Sequence, residues 1–72
     1  KAENVVREFP AIGKYRIRVI DSPRLGRFLD VREYVDGETF EGFTRRGVRL
    51  VGHDQLEQLA AVLRELGMVP RE

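Results

Sequence analysis

The chain has 72 residues, of which 42% are hydrophobic and 35% charged, with a formal net charge of +1 and no cysteine. A chain of this length builds one core and buries only about 60% of its unfolded surface, so we expect one domain that gains stability from a partner subunit. The lack of cysteine excludes disulfides and thiolate metal sites, and a lone histidine does not form a metal or catalytic cluster. No apolar run approaches the ~20 residues that span a bilayer. We therefore predict a soluble, intracellular protein without metal, cofactor or membrane contact.

The charge is unevenly distributed along the chain. Residues 12–51 contain nine basic and six acidic residues, a net charge of +3, whereas residues 53–67 contain one basic and three acidic residues, a net charge of −2. Eleven of the thirteen basic residues are arginine, whose planar guanidinium both bridges phosphate oxygens and stacks on bases. The middle of the chain is thus predicted to bind an anionic ligand, with a solvated mixed-charge surface as the alternative.

The first half of the chain has the period-two pattern of β-strands. Residues 1–11 are predicted to form an N-terminal arm or an edge strand. Residues 15–19 alternate apolar and basic side chains, and residues 27–35 alternate again after a loop at 22–26 that contains Pro and Gly. One face of both strands is predicted to be the core and the other to be cationic.

The pattern continues through a turn and two shorter strands. Asp36 and Gly37 predict a two-residue type I′ hairpin, because both central positions of that turn need positive φ. A third strand is expected at 38–43, a turn or bulge at 44–47 and a fourth strand at 48–51. The predicted fold is α+β, with a curved four-stranded antiparallel meander followed by one helix.

After Gly52 the apolar period changes from 2 to 3.6, which predicts a helix. Asp54 and Glu57 fit a capping box, Gly67 fits the C′ position, and Pro70 ends any continuation. The apolar side chains cover an arc of roughly 160°, wider than packing on one sheet face requires. We therefore predict a homodimer through the helix residues Leu59, Val62, Leu63 and Leu66. The domain is expected to span residues 12–69, with a tail at 70–72.

No constellation of catalytic residues is present in the sequence. Asp30 and Glu33 are three residues apart on a strand, which predicts opposite faces and no joint acid–base chemistry. We therefore predict that the protein is not an enzyme. Outward arginines with aromatic residues among them are instead typical of surfaces that bind single-stranded nucleic acid. The alternative is that the arginines pair with Asp30, Glu33 and Glu41 across strands, each pair contributing less than ~1 kcal/mol.

Three segments carry a resemblance to a known family: residues 13–19 (GKYRIRV), residues 29–34 (LDVREY) and residues 45–50 (RRGVRL). Together with the helix start at residues 55–59, the chain resembles the C-terminal domain of positive cofactor four type transcriptional coactivators, including bacterial and phage relatives, over about residues 12–66. The resemblance implies four antiparallel strands and one helix, a homodimer with the helices at its centre, and binding of single-stranded DNA or melted duplex along the sheets.

The resemblance also implies site residues. Lys14, Arg32, Arg45 and Arg46 fall on basic positions that the family uses for nucleic acid. Together with the strand and loop cations and one ring, the predicted nucleic-acid-binding residues are Lys14, Arg16, Arg18, Arg24, Arg27, Arg32, Phe43, Arg45 and Arg46.

Two aromatic positions of the family are missing. Val35 and Ser22 stand where eukaryotic members have rings, one of which stacks on a base. Phe43 is the candidate replacement for one, and Phe28 or Tyr34 for another, with core packing as the alternative for all three. The Ser-rich regulatory region of eukaryotic relatives is also absent. This favours a prokaryotic or phage source and a cytoplasmic, nucleoid-associated location, the nucleus being the location for a eukaryotic source.

The predicted function is binding of single-stranded DNA in transcription regulation or genome maintenance. RNA and melted duplex are further candidate ligands, and the transcription machinery is a further candidate partner. The alternative is a protein-interaction and dimerisation module that binds an acidic protein and makes no direct contact with nucleic acid.

Overall fold

The computed structural model describes residues 2–67 and consists of one sheet and one helix. Its elements are β1 (Asn4–Ile12), β2 (Tyr15–Ser22), β3 (Gly26–Asp36), β4 (Glu41–Val51) and α1 (Gly52–Glu65). The strands are antiparallel neighbours in the order β1-β2-β3-β4. The predicted α+β architecture of a four-stranded antiparallel meander and a C-terminal helix is confirmed. The predicted domain end at residue 69 and the tail at 70–72 lie outside the described residues.

The strands themselves differ from those that the alternation predicted. The segment predicted as an arm or edge strand is β1, which pairs with β2 along its length. Residues 41–43 and 48–51 of the two predicted strands belong to the single strand β4, whereas residues 38–40 lie in the connection from β3. The prediction of two strands there was wrong because an irregularity at 44–46 interrupts the alternation without ending the strand.

This irregularity is a bulge in β4. Arg32 pairs with Gly47 and Tyr34 pairs with Phe43, so three residues of β4 (44–46) lie opposite the single residue Glu33 of β3. A Cβ atom at Gly47 would lie 2.9 Å from the Cα atom of Arg32 and would collide with the Val31 carbonyl oxygen. Only glycine lets β4 return to β3 at this point.

The loop between β2 and β3 forms as predicted. It consists of residues 23–25, and the Ser22 hydroxyl accepts hydrogen bonds from the backbone N–H groups of Arg24 and Leu25 at 3.2 and 3.1 Å. Gly26 closes it with a φ of 78°. The Ser22 hydroxyl and the positive φ of Gly26 thus stabilise the three loop residues, which have no strand pairing.

The predicted type I′ hairpin at Asp36 and Gly37 is wrong. The connection between β3 and β4 is four residues long, 37–40, and the Gly37 N–H donates to the Phe40 carbonyl at 2.9 Å. Neither Asp36 nor Gly37 has the positive φ that a type I′ turn needs.

The regular pairing of β2 with β3 sorts side chains onto two faces of the sheet. We call one the arginine face; its residues are Arg16, Arg18, Asp30, Arg32, Tyr34, Phe43 and Arg49, with Ile20 and Phe28 at the end nearest the β2–β3 loop. The other is the apolar face, with Ile17, Val19, Leu29, Val31, Val48 and Leu50.

The buried hydrophobic residues do not lie where the alternation predicts. Among the described residues, the buried apolar side chains are Ile20 and Phe28, which belong to the arginine face. Side chains of the apolar face are only half-buried, and Val48 is exposed. The prediction that the apolar face is the core was therefore wrong for the single chain, since no element covers that face completely.

Helix α1 begins two residues earlier than its predicted cap. Its N-cap is Val51, whose N–H donates to the Gln55 side-chain oxygen at 2.7 Å, and no side chain caps the helix. The predicted capping box of Asp54 and Glu57 was wrong: because the helix follows β4 directly, Asp54 lies inside the first turn. The predicted C′ residue is confirmed, since Gly67 has a φ of 72° and donates to the Arg64 carbonyl.

The single chain is more extended than a compact domain of its size. Its radius of gyration is 14.0 Å, whereas about 11 Å is typical for 72 residues. Its accessible surface is 5935 Å², against about 4,600 Å² for a compact monomer of this mass. Exposed apolar side chains contribute to this surface: Val62 and Leu66 on α1 are 52% and 62% exposed.

Candidate nucleic-acid interface

A buried carboxylate lies at the centre of the arginine face. Asp30 is 1% exposed, and its two oxygens accept hydrogen bonds from Arg18 on β2 at 3.2 Å and from Arg32 on β3 at 2.8 Å. Burial alone raises the pKa of Asp30, but the hydrogen bonds from Arg32 and Arg18 outweigh it, and the pKa lies below its ordinary value of 3.8. Asp30 is therefore charged and holds both guanidinium groups.

Guanidinium groups and aromatic rings alternate across the same face. The Arg16 guanidinium carbon lies 3.8 Å from the centroid of the Tyr34 ring, and that of Arg18 lies 4.0 Å from the centroid of Phe43. The two rings meet edge to face, with centroids 5.0 Å apart and an interplanar angle of 77°. Phe43 remains 37% exposed. The result is one layer of planar groups over β2, β3 and β4.

A second group of cations surrounds the bulge and a second carboxylate. Glu33 accepts a hydrogen bond from the Thr44 hydroxyl at 2.7 Å and pairs with Lys14 Nζ at 3.1 Å. These two contacts, Thr44 first, lower the pKa of Glu33 from 4.5. Arg46 lies 4.0 Å from Glu33 with its side chain 79% exposed. We call Lys14, Arg45 and Arg46 the bulge cations.

The bulge and the arginine face are joined by one side chain. Arg32 donates from Nη1 to the Arg45 carbonyl at 2.8 Å while its Nη2 bonds Asp30. The predicted residues Arg16, Arg18, Arg32 and Phe43 therefore lie together on the arginine face, and Arg45 adjoins them through its carbonyl group. Lys14 and Arg46 lie at the same end of the sheet but contact Glu33, which shares the side of Leu29 and Val31.

Two predicted site residues lie elsewhere. Arg24 is in the β2–β3 loop, and Arg27 forms two hydrogen bonds with Asp21, at 2.7 and 3.0 Å. Arg27 is five residues from Arg32, roughly 16 Å along an extended strand. Strand alternation also places Arg27 on the side of Leu29, so its predicted place beside Arg16 and Arg18 was wrong.

Three residues of the interface need to be added to the predicted set of binding residues: Tyr34, which was predicted only as a candidate replacement ring, the outward Arg49, and Asp30, for which no binding role was predicted. Asp30 and Tyr34 share the parity of Arg32 on β3, and Arg49 pairs directly with Asp30 across β4. The Arg49 guanidinium lies 4.5 Å from the centroid of Phe28, which it helps to cover. Alternation along each strand was the sequence signal that could have placed these residues on the arginine face. The register between strands was not visible in the sequence.

The alternative interpretation of the arginines as cross-strand ion pairs is correct only in part. Asp30 and Glu33 do bind cations, but Glu41 accepts a hydrogen bond from the Tyr34 hydroxyl at 2.9 Å. The combined surface has seven cations (Lys14, Arg16, Arg18, Arg32, Arg45, Arg46 and Arg49) and five carboxylates (Glu8, Asp30, Glu33, Asp36 and Glu41). It therefore retains a net charge of +2 for an anionic ligand.

Neither metal sites nor membrane-spanning helices occur in residues 2–67: no group of three or more acidic or histidine side chains there suits a metal ion, and α1 is too short and polar to cross a bilayer. Comparison of the chain with protein-family models, with characterised proteins and with solved structures gives no match.

Proposed function

We propose that this protein binds single-stranded nucleic acid, with DNA as the main ligand, in transcription or genome maintenance. The observation that carries the proposal is the layer of guanidinium planes and rings on the arginine face, formed by Arg16 with Tyr34 and Arg18 with Phe43. Single-strand binders combine cations that follow the backbone with planar groups on which bases stack. The resemblance to the coactivator domain supports the same ligand and the biological role.

The bulge cations and the arginine face suit different parts of a single-stranded nucleic acid, namely its phosphates and its bases. The bulge cations Arg45 and Arg46 are exposed on adjacent residues, an arrangement suited to phosphate oxygens. The planar layer offers bases the exposed Phe43 ring and the guanidinium of Arg16, whose side chain is 40% exposed. The ligand we infer therefore lies with its backbone along the bulge and its bases over the arginine face.

Single strands fit this surface better than intact duplex. Within residues 2–67, the sheet offers no helix or ribbon placed beside the cations that could enter a major groove. In a duplex the base faces are stacked on one another, and only the phosphates can reach the protein. We thus infer a preference for unpaired bases and little sequence preference.

We further propose that the active form is a homodimer. The single chain exposes roughly 1,300 Å² more than a compact monomer of this mass, and a standard interface buries about 800 Å² on each partner. The exposed Val62 and Leu66 on α1 supply apolar surface for such an interface. A twin helix is the occupant that matches this length and apolar width, as the resemblance also implies.

A competition experiment tests the ligand. Labelled oligodeoxythymidylate bound to the protein is displaced by unlabelled single strands or by duplex of equal length at one salt concentration. We expect single strands to compete at least about tenfold better, since one stacked base contributes about 1–3 kcal/mol. Equal competition by both forms contradicts the proposal. Absence of binding to either form favours a protein-interaction module instead.

A further inference from the structure

We propose that Asp30 is a positioning residue of this interface: it holds Arg18 and Arg32 in the orientation in which they bind the single-stranded nucleic acid. The inference rests on the proposed function, because it concerns how the same surface binds its ligand. It assigns a binding role to a carboxylate at a site for a polyanion.

The Asp30 carboxylate is linked to side chains of β2 and β3 and, through Arg32, to the backbone of β4. Each oxygen of Asp30 accepts a hydrogen bond from one arginine, Arg18 of β2 and Arg32 of β3. Arg32 is fixed at a second point by the Arg45 carbonyl in β4, and Arg18 by the Phe43 ring. Orientation of both guanidinium planes thus depends on Asp30.

Arg18 has few other contacts to hold it. Its Nε atom is buried and lacks a hydrogen-bond partner in the described part of the chain. Without Asp30, the side chain would keep its stack on Phe43 but lose its hydrogen-bonded anchor. Fixing a long side chain before the ligand arrives removes the loss of rotamer freedom from the binding step.

Charge and positioning predict effects of opposite sign. Asp30 lies within 3.2 Å of both guanidinium groups and repels phosphate, so its neutralisation raises affinity if the surface acts by charge alone. Loss of orientation lowers affinity instead. Asp30→Asn keeps the shape of the side chain and separates the two mechanisms.

The experiment titrates labelled oligodeoxythymidylate with wild-type and Asp30→Asn protein at several salt concentrations. We expect the variant to bind about tenfold more weakly, although the surface has gained one positive charge. The matched control is Asp21→Asn, which frees Arg27 from its carboxylate at the other end of the sheet and should bind as tightly as wild type or more tightly. Binding of Asp30→Asn at wild-type affinity or above overturns the inference.

A second variant and a folding measurement keep the inference testable if Asp30→Asn fails to fold. Circular dichroism at the titration temperature measures the folded fraction, and Arg32→Lys keeps the charge but loses the forked bridge from Asp30 to the Arg45 carbonyl. Weaker binding of Arg32→Lys with an unchanged salt dependence supports the inference, and wild-type affinity overturns it. If wild-type protein fails to bind single strands, the proposed function fails; if only the variants behave as wild type, the positioning role alone fails.

Discussion

Arg18 on β2 and Phe43 on β4 meet across the intervening strand β3, with the guanidinium carbon 4.0 Å from the ring centroid. The backbones of β2 and β4 are about 10 Å apart, two strand spacings, so only two long side chains can close this distance. The contact holds one face of Phe43 and leaves the ring 37% exposed. Phe43 is therefore a surface residue of the arginine face and not a core residue.

Phe43→Ala should weaken binding of single strands by about 1–3 kcal/mol, because one base loses its stacking partner. The salt dependence of the affinity should stay unchanged, since no charge is removed. The loss of folding stability should be well below the ~3–5 kcal/mol of a fully buried phenylalanine. The control is Phe40→Ala, which removes an exposed ring from the β3–β4 loop. Equal affinities of the two variants, measured by fluorescence titration, would remove Phe43 from the site.

Replacing both Arg45 and Arg46 by Ala should weaken binding of all sequences alike. The slope of log K against log salt should become shallower by about 0.7 for each phosphate of a single strand that the variant no longer neutralises. The control is the double replacement of Arg24 and Arg27 by Ala, at the other end of the sheet, where Arg27 is already paired with Asp21. An unaltered slope in the Arg45/Arg46 variant contradicts the assignment of phosphate binding to the bulge.

Leu66→Ser tests the dimer. Leu66 is 62% exposed in the single chain, so a monomer should change in stability by no more than about 0.5 kcal/mol. A side chain buried against a twin helix contributes about 1.5–3 kcal/mol, and the variant should then show a lower, more concentration-dependent Tm. Gln58→Ser, an exposed polar position on the same helix, is the control. Sedimentation of wild-type protein as a folded monomer at micromolar concentration refutes the dimer.

Gly47→Ala should destabilise the fold by about 3 kcal/mol, the upper end of overpacking costs, because the new methyl group meets backbone atoms of β3 that cannot move aside. Gly67→Ala is the comparison: its φ is 72° but nothing lies within 4 Å, so only the backbone penalty of about 1–2 kcal/mol applies. Urea unfolding measures both. Equal losses of stability in the two variants would show that β4 approaches β3 less closely at Gly47 than the structure indicates.

Acid should weaken the fold through two carboxylates. The pKa values of Asp30 and Glu33 are both lowered in the folded chain, by arginine contacts in the first case and by Thr44 and Lys14 in the second. The stability they contribute is thus present above the unfolded values, 3.8 and 4.5, and is lost as the pH falls through the lower folded values. Thermal melts should show a Tm that falls below about pH 4, and a smaller fall in Asp30→Asn. An identical pH profile in that variant contradicts the contribution of Asp30.

Local patterns in the sequence were enough for the elements whose chemistry is local. The Ser22–Gly26 loop follows from a hydroxyl and a residue with positive φ, and the helix end follows from Gly67. Alternation was enough to separate Arg16 and Arg18 from Ile17 and Val19. Each of these features depends on residues within a few positions of one another, so periodicity and turn chemistry suffice.

The tertiary structure alone decided how these pieces meet. A bulge adds residues to a strand without ending it, so the segments on either side of the bulge both belong to β4. The same bulge sets the register in which Phe43 lies opposite Tyr34. Register between strands decided that Asp30 lies opposite Arg18, where its carboxylate is buried between two arginines. Phe43 and Tyr34 are nine positions apart, and Arg18 and Asp30 are twelve. The energies of such pairings come from burial and charge in three dimensions, which period-two alternation along one strand does not encode.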